Sequence, residues 1–103
     1  MKTLLITAAV ALTLAAPTAQ AQATDDEGFC ETLYEYAESV MIFRQDGQSM
    51  PGMVATTRGD EMLTAIIQAA FNYPRMNMPE NQRELVRDFA NDTYLQCLQE
   101  NSK

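Results

Sequence analysis

Side chains that could carry acid–base or nucleophilic chemistry are scarce in this sequence, because it contains no histidine. Serine or cysteine nucleophiles activated by histidine, and metal sites built on imidazole, are therefore excluded. The nearest carboxylates are Glu31, Glu35 and Glu38, at i, i+4 and i+7 of a predicted helix. They form one solvated acidic ridge, whereas a general acid needs a desolvated carboxyl. We therefore expect no catalytic residue, no cofactor and no enzymatic activity.

Two pairs of methionines are the main candidates for metal binding. They are Met50 and Met53, in Met-Pro-Gly-Met, and Met76 and Met78, in Met-Asn-Met, and both pairs fall in predicted connections between helices. Thioethers are soft ligands, so methionines in flexible segments can hold Cu(I) or Ag(I) where thiols are consumed by disulfides. Methionine also fills gaps in small cores and provides adaptable contact surfaces. The sequence leaves both roles open.

The segment 44–53 combines a charge, amides, turn residues and methionines, a composition that can recognise a protein surface. The same residues could serve only to end a helix and turn the chain, since Asp-Gly and Pro-Gly are turn-forming pairs. As a hypothesis, we assign partner binding to Arg44, Gln45, Asp46, Gly47, Met50 and Met53.

Cys30 and Cys97 are the only cysteines of the chain, and they lack the Cys-x-x-Cys spacing of redox enzymes. A domain of about 80 residues has a small hydrophobic core and commonly needs a disulfide or another cross-link for stability. In an oxidising compartment one intramolecular bridge is expected, and a loop of this length would stabilise the fold by roughly 4 kcal/mol. We therefore predict a Cys30–Cys97 disulfide.

The N-terminal residues have the pattern of a cleavable export signal. Lys2 supplies a positive charge, residues 4–16 form a short apolar stretch, and Ala19-Gln20-Ala21 matches the small-x-small cleavage pattern. Such a signal is typical of bacteria, so we expect a periplasmic or secreted protein without a membrane anchor. The predicted divisions are a signal peptide at 1–21, a flexible acidic leader at 22–28 and a single helical domain at 29–103.

Three amphipathic helices follow from the hydrophobic periodicity, and no segment shows the alternation of a strand. Capping and breaking residues mark their ends. The predicted boundary residues are Phe29 and Asp46-Gly47 for helix 1, Thr57 or Asp60 and Pro74 for helix 2, and Pro79 for the start of helix 3. The sequence therefore predicts a small all-α domain of three helices.

The predicted disulfide constrains how these helices pack. Cys30 lies at the start of helix 1 and Cys97 near the end of helix 3, so the two helices must be antiparallel for the sulfurs to meet. A simple up-down-up bundle would separate the sulfurs by about 20 to 30 Å, the length of a helix. Helix 2 must therefore pack across the other two, and the long connection at 45–58 permits this.

The charge of the chain narrows the classes of partner. Without residues 1–21, in which Lys2 is the only charged residue, six basic residues stand against fourteen acidic ones, a formal net charge of −8. This charge disfavours nucleic acid and anionic membranes, and it suits a basic protein partner. Our first expectation is an exported, non-catalytic interaction or accessory protein of the bacterial cell envelope that binds a protein partner. The oligomeric state stays open.

The general plan, an export signal followed by a short all-helical domain with one cysteine pair, resembles the acid-stress chaperones of enteric bacteria. The resemblance is architectural and assigns no site residue. It implies a periplasmic holdase as an alternative. The physical route would be protonation of fourteen carboxylates, which turns the charge of −8 into about +6 below pH 3 and would loosen a dimer or expose helix faces. Soft-metal binding by the methionine pairs is a further alternative.

Overall fold

The computed structural model describes residues 28–101, and these residues form four α-helices and no strand. The predicted signal peptide at 1–21, residues 22–27 of the predicted leader and residues 102–103 lie outside the described residues. The helices are α1, described over 28–46, α2 at Met50–Ala55, α3 at Glu61–Ala70 and α4 at Pro79–Asn101. The prediction of an all-α domain is confirmed. None of the described helices carries an apolar stretch long enough to cross a bilayer.

α1 ends at a glycine, as the sequence predicts. Gly47 has a φ of 96°, in the left-handed region. Its N–H donates to the carbonyl of Arg44 at 3.1 Å, and the N–H of Gln48 donates to the carbonyl of Phe43 at 3.0 Å. This pair of bonds is the Schellman arrangement, which satisfies carbonyls that the last helical turn leaves without partners. Glycine adopts this backbone without steric cost, so its position determines where α1 stops.

α2 is a six-residue helix inside the segment that the sequence predicts as a connection. Ser49 caps it, because its Oγ accepts the N–H of Gly52 at 3.2 Å. Pro51 lies in the first turn, where its missing N–H costs nothing. The Pro-Gly pair indicates a turn in the sequence, yet both residues lie within the helix. The expectation of a non-helical connection is therefore wrong for residues 50–55.

α3 begins after Asp60, whose Oδ1 accepts the N–H of Leu63 at 2.9 Å. Of the two predicted caps, Asp60 is thus the one used. Thr57 is buried instead, and its Oγ1 donates to the carbonyl of Val54 at 2.8 Å. This hydrogen bond holds the turn at 56–59 against α2, and it explains why a threonine is tolerated at a buried position.

α1 and α4 lie side by side and antiparallel, as the predicted disulfide requires. Cys30 and Cys97 are bonded, with Cα atoms 5.6 Å apart. The rings of Tyr34 and Tyr94 meet edge to face between the same two helices, with centroids 6.1 Å apart. α3, the predicted second helix, buries Ile67 in the core that they share. The predicted topology and the predicted disulfide are therefore both confirmed.

The core draws side chains from all four helices. Because α2 also contributes, the segment that the sequence predicts as a connection is part of the packed domain. The buried hydrophobic residues are Cys30, Leu33, Ala37, Val40 and Met41 of α1, Met53 of α2, Ile66, Ile67 and Ala70 of α3, and Phe89, Ala90 and Cys97 of α4.

Candidate functional site

Arg44, the first residue of the predicted binding segment, has its partners inside the domain. Its Nε and Nη2 donate to the carbonyl of Tyr73 at 3.2 and 3.0 Å. Its guanidinium carbon lies 4.5 Å from the centre of the Phe71 ring, where the negative face of the ring attracts a cation. The side chain therefore fastens the end of α1 to the chain that leaves α3.

Gln45 is buried, with 3% of its surface exposed, and it uses both ends of its amide. Oε1 accepts the N–H of Met76 at 2.7 Å, and Nε2 donates to the carbonyl of Pro74 at 3.0 Å. The Nε of Arg75 donates in return to the main-chain carbonyl of Gln45 at 3.3 Å. Because a buried amide needs such partners, these bonds hold the connection between α3 and α4 against α1.

The residues predicted to bind a partner at the end of α1 therefore differ in their surroundings. Arg44 and Gln45 are engaged within the domain, whereas Asp46 and Gly47 are exposed. A Cβ at Gly47 would lie 3.3 Å from the central carbon of the Arg75 guanidinium. This geometry supports the alternative role of the segment, which is to end α1 and turn the chain. Partner binding by these residues stays a prediction.

The predicted methionine pairs occupy unlike environments. Met53 is buried and Met50 packs against the core, so both act as packing residues of α2. Met76 is partly buried, while Met78 is 53% exposed. Within residues 28–101, no group of three or more histidine, cysteine, aspartate or glutamate residues could hold a metal ion. The positions favour packing as the role of Met50 and Met53, and soft-metal binding stays a prediction.

An open groove lies at the disulfide end of the domain, between the start of α1, the helix α3 and the last turns of α4. Its volume is about 540 Å³. Leu33, Ile66 and Phe89 line it and are buried, so they form its floor. Phe29 and Met62 also line it and are 44% and 46% exposed. Large apolar side chains exposed in a concave surface are typical of binding sites.

The rim of the groove is polar, and among residues 28–101 the charged side chains that line it are all acidic. Its polar lining residues are Glu61, Thr93, Gln96, Glu100 and Asn101. Glu61 is the first residue of α3, and Glu100 lies in the last turn of α4. The Nε2 of Gln96 donates to Oε2 of Glu100 at 3.2 Å. The two side chains lie one helical turn apart on α4, and the hydrogen bond joins them on the rim.

The disulfide forms part of one wall of the groove. Cys97 is among the lining residues. The Nδ2 of Asn101 lies 3.4 Å from the Sγ of Cys30 and 3.6 Å from the Sγ of Cys97. The bridge thus joins the start of α1, which carries Phe29, to the end of α4, which carries Asn101. The shape of the groove therefore depends on the bridge.

The sequence contains one feature that points to this groove. In α3 a second apolar face lies beside the one that packs in the core. The apolar surface of this ten-residue helix is wider than the surface that one neighbouring helix can cover. This second face repeats at i, i+3, i+4 and i+7 and consists of Met62, Ala65, Ile66 and Ala69. Phe29 joins it only through the tertiary packing, which the sequence pattern does not show.

A smaller pocket, of about 260 Å³, lies between α1 and α2. Tyr36, Phe43, Met53 and Ile67 are among its lining residues. Burial raises the pKa of the Tyr36 hydroxyl above its ordinary value, and the negative charge of Asp60 raises this pKa further. The hydroxyl therefore stays protonated at neutral pH. Of the residues predicted to bind a partner or a metal, only Met53 lines one of these two cavities.

A comparison with known protein families, with curated proteins and with solved structures finds no match to this chain. The chemistry of the groove is therefore the basis for assigning a function. Its lining consists of apolar side chains, neutral polar groups and two exposed carboxylates, those of Glu61 and Glu100.

Proposed function

We propose that this chain is an exported, non-catalytic interaction protein of the bacterial cell envelope that binds a protein partner through the groove at its disulfide end. The occupant is a segment of that partner with at least one large apolar side chain. The groove itself is the observation that supports this function, because Phe29 and Met62 expose nearly half of their surface over a buried apolar floor. Covering such a patch contributes to binding through the apolar area removed from water.

Export is supported by two further observations. Residues 1–21 have the pattern of a cleavable signal. The disulfide between Cys30 and Cys97 belongs to the class of bonds that persist in oxidising compartments such as the periplasm. A groove whose wall contains this bond suits a protein that works outside the reducing cytoplasm.

The groove supports binding rather than catalysis. Glu61 and Glu100 are both exposed, so neither carboxyl is desolvated in the way that a general acid requires. Thr93 carries the only hydroxyl among the described lining residues, and this hydroxyl donates to the main-chain carbonyl of Phe89 at 3.0 Å rather than to either carboxylate. These side chains can orient and hold a partner, and they leave the groove without an activated nucleophile.

Site-specific photo-cross-linking tests the proposal. A photoreactive side chain replaces Met62, which lines the groove, or Gln68, which is exposed on the same helix outside the lining. The full chain is expressed in a bacterium, and the periplasmic protein is expected to start at Gln22. We expect position 62, and not position 68, to cross-link one defined envelope protein. With the purified partner, Met62→Ser should weaken binding about tenfold, because it removes a large apolar contact without adding a charge.

The matched control is Gln68→Ser, which makes a neutral substitution on the same helix outside the groove and should leave the affinity unchanged. Equal cross-linking from positions 62 and 68, or full affinity of the Met62→Ser variant, would refute groove binding. Cross-links to many different proteins from both positions, only after exposure to acid, would instead favour the holdase alternative.

A further inference from the structure

The charge around the groove determines which partner segments it can accept. Among the lining residues, Glu61 and Glu100 are charged and none is basic. Every arginine of the described residues lies outside the lining. Arg44 and Arg75 are tied to the carbonyls of Tyr73 and Gln45, at the end of α1 away from Cys30. Within residues 28–101, neither carboxylate of the rim has a basic residue beside it in the lining. Glu61 lies at the positive end of α3, which balances part of its charge, so a cation gains most from Glu100.

Glu100 adds to this negative potential in a second way. It lies in the last turn of α4, and the described residues of that turn include no basic side chain. The end of a helix carries partial negative charge from its aligned peptide dipoles, and this adds to the charge of the carboxylate. Gln96 donates to Oε2 of Glu100 at 3.2 Å, and this exposed hydrogen bond favours one orientation of the carboxylate.

The same potential excludes several other occupants. Residues 22–27 of this chain include Asp25, Asp26 and Glu27, which have the same sign of charge as the rim. Like charges brought together at a contact cost binding energy. Acidic peptides, and a second copy of this acidic chain, meet the same repulsion. A cationic segment, in contrast, gains from both carboxylates.

We infer that the groove binds an amphipathic segment of the partner protein in which Lys or Arg residues flank a large apolar side chain. The apolar side chain contacts Phe29 and Met62, and the cations pair with Glu61 and Glu100. This inference rests on the proposed function and specifies its partner. Glu61 and Glu100 act as specificity residues, since the apolar floor alone does not distinguish basic from acidic segments.

The test uses synthetic amphipathic helical peptides built from leucine and lysine. A second peptide replaces every lysine with glutamine, and a third replaces every lysine with glutamate. Their affinities for the disulfide-bonded protein lacking residues 1–21 are measured by fluorescence anisotropy at low and at high salt. We expect the lysine peptide to bind most tightly, the glutamate peptide not to bind, and the lysine peptide to lose affinity as salt rises.

The double variant Glu61→Gln, Glu100→Gln should lower the affinity for the lysine peptide by about tenfold, as the loss of two rim ion pairs predicts. The matched control is Glu80→Gln, Glu84→Gln, which removes two exposed carboxylates from the first half of α4, outside the groove. Its effect should be about twofold or less, because charges at that distance are screened.

Three results would overturn the inference: no binding of the lysine peptide, equal binding of the glutamine peptide, or equal losses in the two double variants. Its failure can be separated from failure of the proposed function. If the glutamine peptide binds as tightly as the lysine peptide and Met62→Ser weakens both interactions, the groove binds apolar segments and only the requirement for charge is wrong. If Met62→Ser leaves all peptide binding unchanged, the groove is not the binding site.

Discussion

Gln45 shows how one buried side chain can organise an end of this domain. Its amide pairs with Pro74 and Met76, which lie 29 and 31 residues further along the chain. Both partners are main-chain groups of a connection that is not helical. Residue types and helical spacing carry no information about such a pairing, so the sequence indicates only a polar residue near the end of α1. The structure explains why a glutamine can be buried there.

We expect Gln45→Ala to lower the free energy of unfolding by about 1 to 3 kcal/mol, because the variant leaves the N–H of Met76 and the carbonyl of Pro74 without their partner. Urea unfolding followed by circular dichroism measures this difference. The control is Gln68→Ala, which removes an exposed amide from α3 and should change stability by less than about 0.5 kcal/mol. Equal effects of the two substitutions would contradict the role of Gln45.

The helices themselves could be predicted where local signals define their ends. Asp60 caps α3, Gly47 ends α1 and Pro79 begins α4, and each acts through bonds or dihedral angles within a few residues. α2 could not be predicted in this way. Its Pro51-Gly52 pair favours a turn locally, and the short helix depends on the Ser49 cap and on burial of its side chains in the core.

The groove was only partly accessible to sequence reasoning for a similar reason. The second apolar face of α3 is a local property and can be recognised from the spacing of Met62, Ala65 and Ala69. Whether such a face is covered or open depends on where α1 and α4 pass. That arrangement follows from tertiary contacts, which brought Phe29 and Asn101 to the same groove. Turn residues and methionines in 44–53 are local signals of a binding loop, yet Gln45 and Met53 of this segment are buried.

Turn glycines give a prediction at the scale of the elements. Gly47 and Gly59 both have left-handed φ angles, of 96° and 85°. Alanine at either position should cost about 1 to 2 kcal/mol of stability, because an L side chain is strained there. Gly47→Ala should cost more than Gly59→Ala, since its Cβ would lie 3.3 Å from the Arg75 guanidinium, whereas a Cβ at Gly59 meets nothing within 4 Å. Thermal unfolding of the two variants compares these costs.

Gly28→Ala is the control for this comparison. Gly28 is helical, and a Cβ there has no neighbour within 4 Å. Alanine should therefore leave stability unchanged or raise it by up to about 1 kcal/mol through its higher helix propensity. A Gly47→Ala variant that is as stable as the Gly28→Ala variant would show that the glycine is not needed to end α1.

At the scale of the whole molecule, α1 is fastened at both ends. The disulfide joins its start to the end of α4, and Arg44 and Gln45 join its end to the connection that precedes α4. A domain of this size has a total stability of only about 4 to 11 kcal/mol. One covalent bond that closes a loop across all four helices is therefore a large part of what keeps the domain folded.

Reduction of the disulfide should lower the free energy of unfolding by roughly 4 kcal/mol, because the unfolded chain regains the freedom of a loop that spans 67 residues. Urea unfolding with and without a reductant measures the difference. The double variant Cys30→Ala, Cys97→Ala should show a similar loss and no further response to the reductant. An unchanged unfolding midpoint after complete reduction would contradict the prediction.

The position of the disulfide also determines whether the fragments of a proteolytic cut stay joined. Arg58 is exposed in the turn at 56–59 and offers a cleavage point to enzymes that cut after arginine. A cut there would divide the chain into one piece with Phe29 and another with Met62 and Asn101. Since Cys30 and Cys97 lie on opposite sides of the cut, both pieces would stay in one covalent molecule. The nicked protein would keep every residue of its groove, and its two halves would separate only after reduction.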